Sequence, residues 1–256
     1  MNVLAIIPAR MGSSRFPDKP MHKISGIPMI GHCVYRVQLT QGLTDTYVAT
    51  CDKEIADYVE SIGGKVVMTA PSHTRATGRS AEAMGKIENE TGQKIDIVIM
   101  VQGDEPMILP EDVSNMIRHF NDPNVEIVNL MSRLKSREKF EDKNNVKVVV
   151  DQYMDALYFS REPIPSMWKE GDQIPMFMQV GVIAFRRKAL SRFEQMTETT
   201  LEKIESVDMN RVLETGGKIR MVITENEMIG VDTRKEADYV YEQMKNDHIF
   251  KEYSQL

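Results

Sequence analysis

Short strand-like runs alternate with segments of helical spacing along this chain, and that alternation constrains its fold more than any other feature. The apolar run Val3 to Ile7 is too short for a buried helix and reads as a central parallel strand. Met29 to Leu39 follows with Ile30, Val34 and Val37 on one helical face. Then come a strand Thr46 to Thr50, a helix from about Lys53 to Ile62 that stops at Gly63 and Gly64, and a strand Lys65 to Met68. A helix from about Ser80 to Glu90 leads to the nearly continuous apolar run Ile95 to Val101. Such alternation predicts an α/β fold, a mostly parallel Rossmann-like sheet flanked by crossover helices, with ligands held at the C-terminal ends of the strands.

The later chain keeps the pattern with shorter elements. Strands are expected at Val125 to Met131, Val146 to Val150, Gln179 to Arg186 and Met221 to Thr224. Helices are expected at Glu111 to Phe120, Ala189 to Gln195, Leu201 to Glu214 and Arg234 to Asp247. The charged stretch Lys135 to Lys143 reads as a solvated helix or loop. Ser166 to Met178 reads as an irregular loop whose Trp168 is either a hydrophobic anchor or a ligand contact. At 256 residues the chain can bury the core of one large α/β domain, or of one domain with a lobe inserted, and no repeat or long linker divides it.

The strand Val3 to Ile7 opens into a loop carrying Pro8, Gly12, Ser13, Ser14 and three cations, Arg10, Arg15 and Lys19. Gly12 lets backbone approach a ligand, hydroxyls and loop N–H groups donate hydrogen bonds, and the guanidiniums and ammonium supply charge, a set that suits a nucleoside triphosphate. The Walker pattern Gly-x-x-x-x-Gly-Lys-Ser/Thr and the dinucleotide pattern Gly-x-Gly-x-x-Gly are both absent. A basic surface turn is the structural alternative. A net charge of −6 and a pI near 5.5 argue against a broad nucleic-acid surface, so cations concentrated in one loop point to a small anion in a pocket.

Two unpatterned cysteines, Cys33 and Cys51, suit packing roles in a reducing cytoplasm, and the 19 methionines suit core filling. The chain opens on about five apolar residues without a basic leader, and no run approaches the roughly 18 needed to span a bilayer. A cytoplasmic protein without membrane association is therefore expected.

The run Ile95 to Val101 delivers Gln102-Gly103-Asp104-Glu105-Pro106. A carboxylate at the exit of a buried strand suits Mg²⁺, which takes one or two carboxylates with phosphate oxygens and water, so Asp104 is a metal-ligand candidate. Capping the following helix is its structural alternative. Asp232 and Thr233 stand before the last helix, where capping is the ordinary role. His73 reads as a turn residue.

Four segments, in order, carry a resemblance. They are the string Pro8-x-Arg10-x-x-Ser13-Ser14-Arg15-x-Pro17-x-Lys19-Pro20, then Val101 to Pro106, Asp155 to Pro165, and Gly230 to Thr233. Together the chain resembles the nucleotidyltransferases that activate sugars, and among them the 3-deoxy-manno-octulosonate (Kdo) cytidylyltransferase, or CMP-Kdo synthetase, family over about residues 2 to 245. The resemblance implies a nucleotide-diphospho-sugar transferase fold, one nucleotidyltransferase domain over 1–256 with a smaller lobe for sugar binding and dimerisation at about 155–215, and a homodimer.

It also implies the reaction: transfer of CMP from CTP to the anomeric hydroxyl of Kdo or a related 2-keto-3-deoxy sugar acid, with release of pyrophosphate, for surface polysaccharide or lipopolysaccharide synthesis. Arg10, Arg15, Lys19 and Asp104 are the expected catalytic residues. Pro8, Ala9, Arg10, Ser13, Ser14, Lys19, Arg79 and Gln102 are expected around the nucleotide, and Asp104 and Asp232 on Mg²⁺. Arg15, Arg161, Gln179, Asp208 and Met209 are expected around the sugar, Arg161 as the partner of its carboxylate.

Departures from the family pattern cluster at the sugar end: Gly78 where an aspartate is usual, Gln179 for a histidine, and Asp208-Met209 for a Glu-Gln pair. Replacing a glutamine by methionine removes a donor and an acceptor, so the acceptor sugar can differ. A nucleotidyltransferase for another sugar or polyol stays open as an alternative. So does a catalytically idle nucleotide-binding paralogue.

Overall fold

A computed structural model describes residues 1–12, 15–168 and 174–254. In chain order the strands are β1 (Val3–Pro8), β2 (Lys23–Ile24), β3 (Ile27–Pro28), β4 (Asp45–Thr50), β5 (Lys65–Met68), β6 (Ile97–Val101), β7 (Ile127–Arg133), β8 (Lys147–Val150), β9 (Ala156–Ser160), β10 (Phe177–Arg186) and β11 (Arg220–Thr224). The helices are α1 (Met29–Gln38), α2 (Lys53–Ser61), α3 (Ala76–Thr91), α4 (Pro110–Arg118), α5 (Arg137–Glu141), α6 (Arg187–Gln195), α7 (Thr200–Glu205), α8 (Met209–Glu214), α9 (Arg234–Met244) and α10 (His248–Tyr253). The mostly parallel α/β sheet flanked by helices that the alternation predicts is the fold found. Its residues divide into two compact units, Met1–Ser114 with Met228–Leu256, and Asn115–Glu227.

In the first unit β6, β1, β4 and β5 lie side by side and parallel, with Leu4 opposite Asp45, Val3 opposite Ile97, and Tyr47 opposite Lys65. All six residues of β1 are buried. A strand covered on both faces has no solvent side to mark with polar residues, which is why it reads as an unbroken apolar run. The loops after Pro8, Thr50, Met68 and Val101 therefore leave from one edge, the C-terminal one. Helix α1 buries Met29, Ile30, Cys33, Val34 and Val37. Its Gly31 allows α2 to approach, since a Cβ there would stand 2.4 Å from the Tyr58 hydroxyl.

Helix α10 closes this unit, and the sequence reading missed it by running one helix to Asp247. Helix α9 ends at Met244, and Asp247 instead caps a new turn, accepting from the Ile249 amide at 2.9 Å. Tyr253 is the reason the turn matters. His32 Nε2 donates to the Ile24 carbonyl at 2.8 Å, so Nδ1 accepts from the Tyr253 hydroxyl at 2.8 Å, which in turn accepts from Arg36 Nε at 3.2 Å. The neutral imidazole is what this network requires.

Burial, with the Arg36 charge beside it, lowers the His32 pKa to about 4. The unfolded chain, with an ordinary pKa of about 6.5, binds this proton first, so the stability His32 contributes is complete above that value and is lost as pH falls toward 4. Between pH 7 and pH 5 the loss from this one group should be about 2 kcal/mol. Denaturant titrations should show the wild type losing that much more than His32→Gln over the same interval; equal losses would remove the assignment.

In the second unit β7 pairs parallel with β11 and antiparallel with β10, while β8 pairs antiparallel with both β10 and β9. The stretch Lys135 to Lys143 is only partly solvated: it forms α5, with Phe140 fully buried. The single helix expected from Leu201 to Glu214 is two. Ser206 takes a left-handed φ of 53°, and the chain folds back so that Arg211 makes a bidentate pair with Glu202 at 2.6 and 2.7 Å. In one straight helix residues nine apart are more than two turns separated and could not meet. Among the described residues no helix is long and apolar enough to cross a membrane.

Candidate active site

The loop after β1 is fixed at several points before it reaches its cations. The Ala9 amide donates to the Ala49 carbonyl at 3.0 Å and the Met11 amide to Asp52 Oδ2 at 2.8 Å. Phe16 is buried among Met29, Val231 and Val240. Asp18, with φ 56°, then turns the chain into the 3-10 turn Lys19–Met21. That turn drives Lys19 inward until only 9% of it is exposed.

There Lys19 Nζ donates to Asp104 Oδ2 at 2.7 Å and to Asp232 Oδ1 at 3.0 Å, while Arg15 Nη2 donates to Asp232 Oδ2 at 2.8 Å. Residues 85 and 213 positions from Lys19 thus share one ammonium. Burial works against the charged amine, but the two carboxylates outweigh it and hold the Lys19 pKa above the ordinary lysine value. The ammonium is therefore protonated throughout the neutral range.

Both capping alternatives for the aspartates are resolved by geometry. Thr233 caps α9, its hydroxyl accepting from the Glu236 amide, while Glu236 accepts from the Asp232 and Thr233 amides, each at 2.7 Å. The Asp232 carboxylate is left for Lys19 and Arg15. Asp104 likewise turns to Lys19 rather than to α4. Its carbonyl accepts from the Val231 amide at 2.9 Å, which fastens the two acidic loops together. Gly103 has a role here too, because a Cβ would lie 3.1 Å from the Pro8 carbonyl oxygen and 3.2 Å from the Ile30 side chain.

These loops surround a cleft of about 300 Å³. Pro8, Ala9, Arg10, Arg15, Lys19, Arg79, Gln102, Asp104 and Asp232, all expected from sequence, line it. Ser13 and Ser14 lie outside the described residues. Arg75 also lines the cleft, so five cations face two carboxylates in a chain whose net charge is −6. A surplus of this kind is compensated by a polyanion.

Helix α3 begins at Ala76, four residues before the expected start, which brings Gly78 and Arg79 into its first turn. Arg79 is 3% exposed; it donates to the Thr69 hydroxyl and, at 3.7 Å, to Cys51 Sγ, and meets no carboxylate among the described residues. Glu82, not singled out from sequence, holds the segment before the helix: it accepts from the Ala70 amide at 3.0 Å, pairs with Lys86 at 2.8 Å and contacts the His73 imidazole. Burial opposes ionisation of Glu82, yet Lys86, the Ala70 amide and His73 together pull its pKa down to about 2. Arg10 Nη1 reaches the His73 carbonyl at 3.5 Å. Helical spacing alone, one turn past Gly78, could have drawn attention to Glu82.

Apart from Arg15, which lines the cleft of the first unit, the residues expected at the sugar belong to the second unit. Arg161 Nε donates to the Glu205 carbonyl at 2.8 Å and Nη1 to the Lys143 carbonyl at 2.9 Å. Gln179 Nε2 donates to Asn129 Oδ1 at 2.7 Å. The polarity of that pair is forced, because Asn129 Nδ2 already donates to the carbonyls of Leu130, Val180 and Val182. Gln179 therefore keeps its carbonyl oxygen as an acceptor. Asp208 precedes α8, and Met209 in its first turn is fully buried.

An anion-compensating cleft at the strand ends of a parallel α/β sheet is the arrangement expected of an enzyme that handles nucleoside phosphates. The chain belongs to the cytidylyltransferase family, whose model, described as Cytidylyltransferase, matches residues 4–220. It is 38% identical over 260 residues to the 3-deoxy-manno-octulosonate cytidylyltransferase of Geobacter metallireducens, covering 97% of this chain and all of that one. It is 40% identical over 235 residues to the 8-amino-3,8-dideoxy-manno-octulosonate cytidylyltransferase of Shewanella piezotolerans, covering 91% and 94%. A solved structure of CMP:2-keto-3-deoxy-manno-octonic acid synthetase complexed with CTP superposes with a TM-score of 0.88 at 36% identity, covering 96% of this chain and 99% of that one.

Proposed function

We propose that this cytidylyltransferase moves CMP from CTP onto the anomeric hydroxyl of Kdo or a closely related 2-keto-3-deoxy sugar acid and releases pyrophosphate. The observation that carries the reading is the convergence of Arg15, Lys19, Asp104 and Asp232 on one cleft, supported by relatives whose names specify that reaction. The sugar hydroxyl attacks the α-phosphorus and the P–O bond to pyrophosphate breaks on the opposite side, so the hydroxyl proton is lost and pyrophosphate carries away the electron pair. Arg10, Arg15 and Lys19 hold the triphosphate and stabilise the charge growing on the departing oxygen. Pro8, Ala9, Ser13, Ser14, Arg79 and Gln102 surround the nucleotide in this reading.

Asp104 and Asp232 fit Mg²⁺. Among the described residues no cluster of three or more metal-ligating side chains occurs, but magnesium bound with a triphosphate requires only one or two carboxylates, and two converge here. When bound, the ion would neutralise phosphate charge and polarise the attacking hydroxyl. Lys19 and Arg15 compensate the same carboxylates without it.

Arg161, Gln179 and Asp208 are assigned to the sugar, Arg161 to its carboxylate. Met209, which the resemblance also sets at the sugar, is fully buried. The lobe at about 155–215 is assigned to sugar binding and to pairing of two copies, and the enzyme to the cytoplasm.

Pyrophosphate release should be measured with each of four nucleoside triphosphates against Kdo, 8-amino-3,8-dideoxy-manno-octulosonate and a polyol without a carboxylate. CTP with one of the two sugar acids should exceed every other pair by at least about 100-fold, the ratio that buried, hydrogen-bonded recognition supplies. Equal turnover of the polyol would replace the acceptor, and no release with any pair would mean an idle paralogue.

A further inference from the structure

Lys147 is a buried charge that the reaction above leaves unexplained. It sits on β8, fully buried, and among the described residues its ammonium meets no carboxylate. Its ammonium donates to three main-chain carbonyls: Asp142 at 2.9 Å, Asn145 at 2.7 Å and Arg161 at 2.5 Å. A neutral side chain could close the local turn at 142–147 without the desolvation cost of an ammonium, so the contact fourteen residues away is the one that calls for a charge.

Glu205 grips the same residue from the other side. Its Oε2 accepts from the Arg161 amide at 2.8 Å, and its Oε1 accepts from the Ser160 hydroxyl at 2.8 Å and the Tyr158 hydroxyl at 2.9 Å. The carboxylate is thus occupied by three donors and makes no ion pair with the guanidinium. That guanidinium is held by its Nε and Nη1 on the Glu205 and Lys143 carbonyls. Arg161 is a cation fixed through its amide, its carbonyl and two side-chain nitrogens, and among the described residues no carboxylate contacts its guanidinium and Nη2 has no hydrogen-bond partner.

We infer that Lys147 and Glu205 are positioning residues that hold Arg161 in place to receive the carboxylate of the acceptor sugar. The inference rests on the assignment of Arg161 to that carboxylate. A fixed guanidinium loses little freedom when it pairs, and planar pairing to a carboxylate is sensitive to its orientation. Neither residue need touch the ligand.

The test compares kcat/KM for the sugar acid with that for its C1 carboxamide, in wild type and in Arg161→Ala, Lys147→Met and Glu205→Gln. Wild type should prefer the acid by at least about tenfold, and Arg161→Ala should abolish the preference. Lys147→Met and Glu205→Gln should each reduce it to about two- to threefold through the KM of the sugar, with the KM of CTP unchanged. A general loss of structure would lower both substrates alike and leave the ratio intact. If Arg161→Ala keeps the preference, the carboxylate assignment of Arg161 itself fails. If Arg161→Ala abolishes it while Glu205→Gln and Lys147→Met retain it in full, the positioning roles are overturned; should Lys147→Met not fold, Glu205→Gln decides alone.

Discussion

Lys19→Ala should reduce pyrophosphate release by about a thousandfold while leaving a folded protein. At an effective dielectric of about 20, one charge pair at roughly 4 Å is worth on the order of 4 kcal/mol before desolvation, and each 1.4 kcal/mol or so is a factor of ten in rate. Lys19 is the cation to which this applies most fully. It is nearly buried and bridges two carboxylates, whereas the Arg15 side chain is 54% exposed and solvent screens its charge. Removal also leaves Asp104 and Asp232 facing one another with only Arg15 beside them. Turnover within tenfold of wild type, measured at saturating CTP and sugar with far-UV circular dichroism as the control for folding, would end the assignment of Lys19 to the reaction.

Arg36→Met should be the most damaging change to stability. Arg36 is fully buried, pairs with Asp247, donates to Tyr253 and, at 3.3 Å, to the Ile108 carbonyl, and lies 5.8 Å above the Tyr253 ring. The methionine can fill much of the volume, but the Asp247 side chain, 8% exposed, is left as an unpaired buried carboxylate. Breaking a buried pair from one side costs about 3–5 kcal/mol. For a chain of this size that corresponds to a fall in Tm of roughly 10 °C. A double variant that also carries Asp247→Leu should recover part of the loss, because the stranded charge is gone. A melting temperature within about 3 °C of wild type for Arg36→Met would show that the network contributes little.

Legibility from sequence followed the kind of signal each element carries. The strands β1, β4, β5 and β6 and the helices α1 to α3 were read to within about four residues because buried parallel strands are continuous apolar runs and their helices have one long apolar face. The helix expected from Leu201 to Glu214 kept its periodicity, yet nothing in that periodicity reveals that Glu202 and Arg211 pair only if the chain turns at Ser206. Helix α10 is six residues long, and its reason for forming, the Tyr253 hydroxyl between His32 and Arg36, lies 217 to 221 positions away in the chain. Lys147 and Glu205 are not singled out by the sequence either, because their partners, main-chain carbonyls for the lysine and two hydroxyls with the Arg161 amide for the glutamate, are brought to them only by the fold.

What the sequence determined by itself was the inventory: strand-forming runs in alternation with helices, a basic loop after the first strand, and acidic residues at two later turns. Those follow from local properties, namely hydrophobic period, glycine and proline, and the chemistry of single side chains. Only the tertiary structure decided that Thr233 rather than Asp232 caps α9, that Asp104 turns to Lys19 rather than to α4, and that one ammonium joins residues 104 and 232. Lys19 and Asp104 meet because the parallel strands β1 and β6 deliver their following loops to one edge, and Asp232 joins them where the Val231 amide bonds the Asp104 carbonyl; that convergence is a property of the fold rather than of any segment within it.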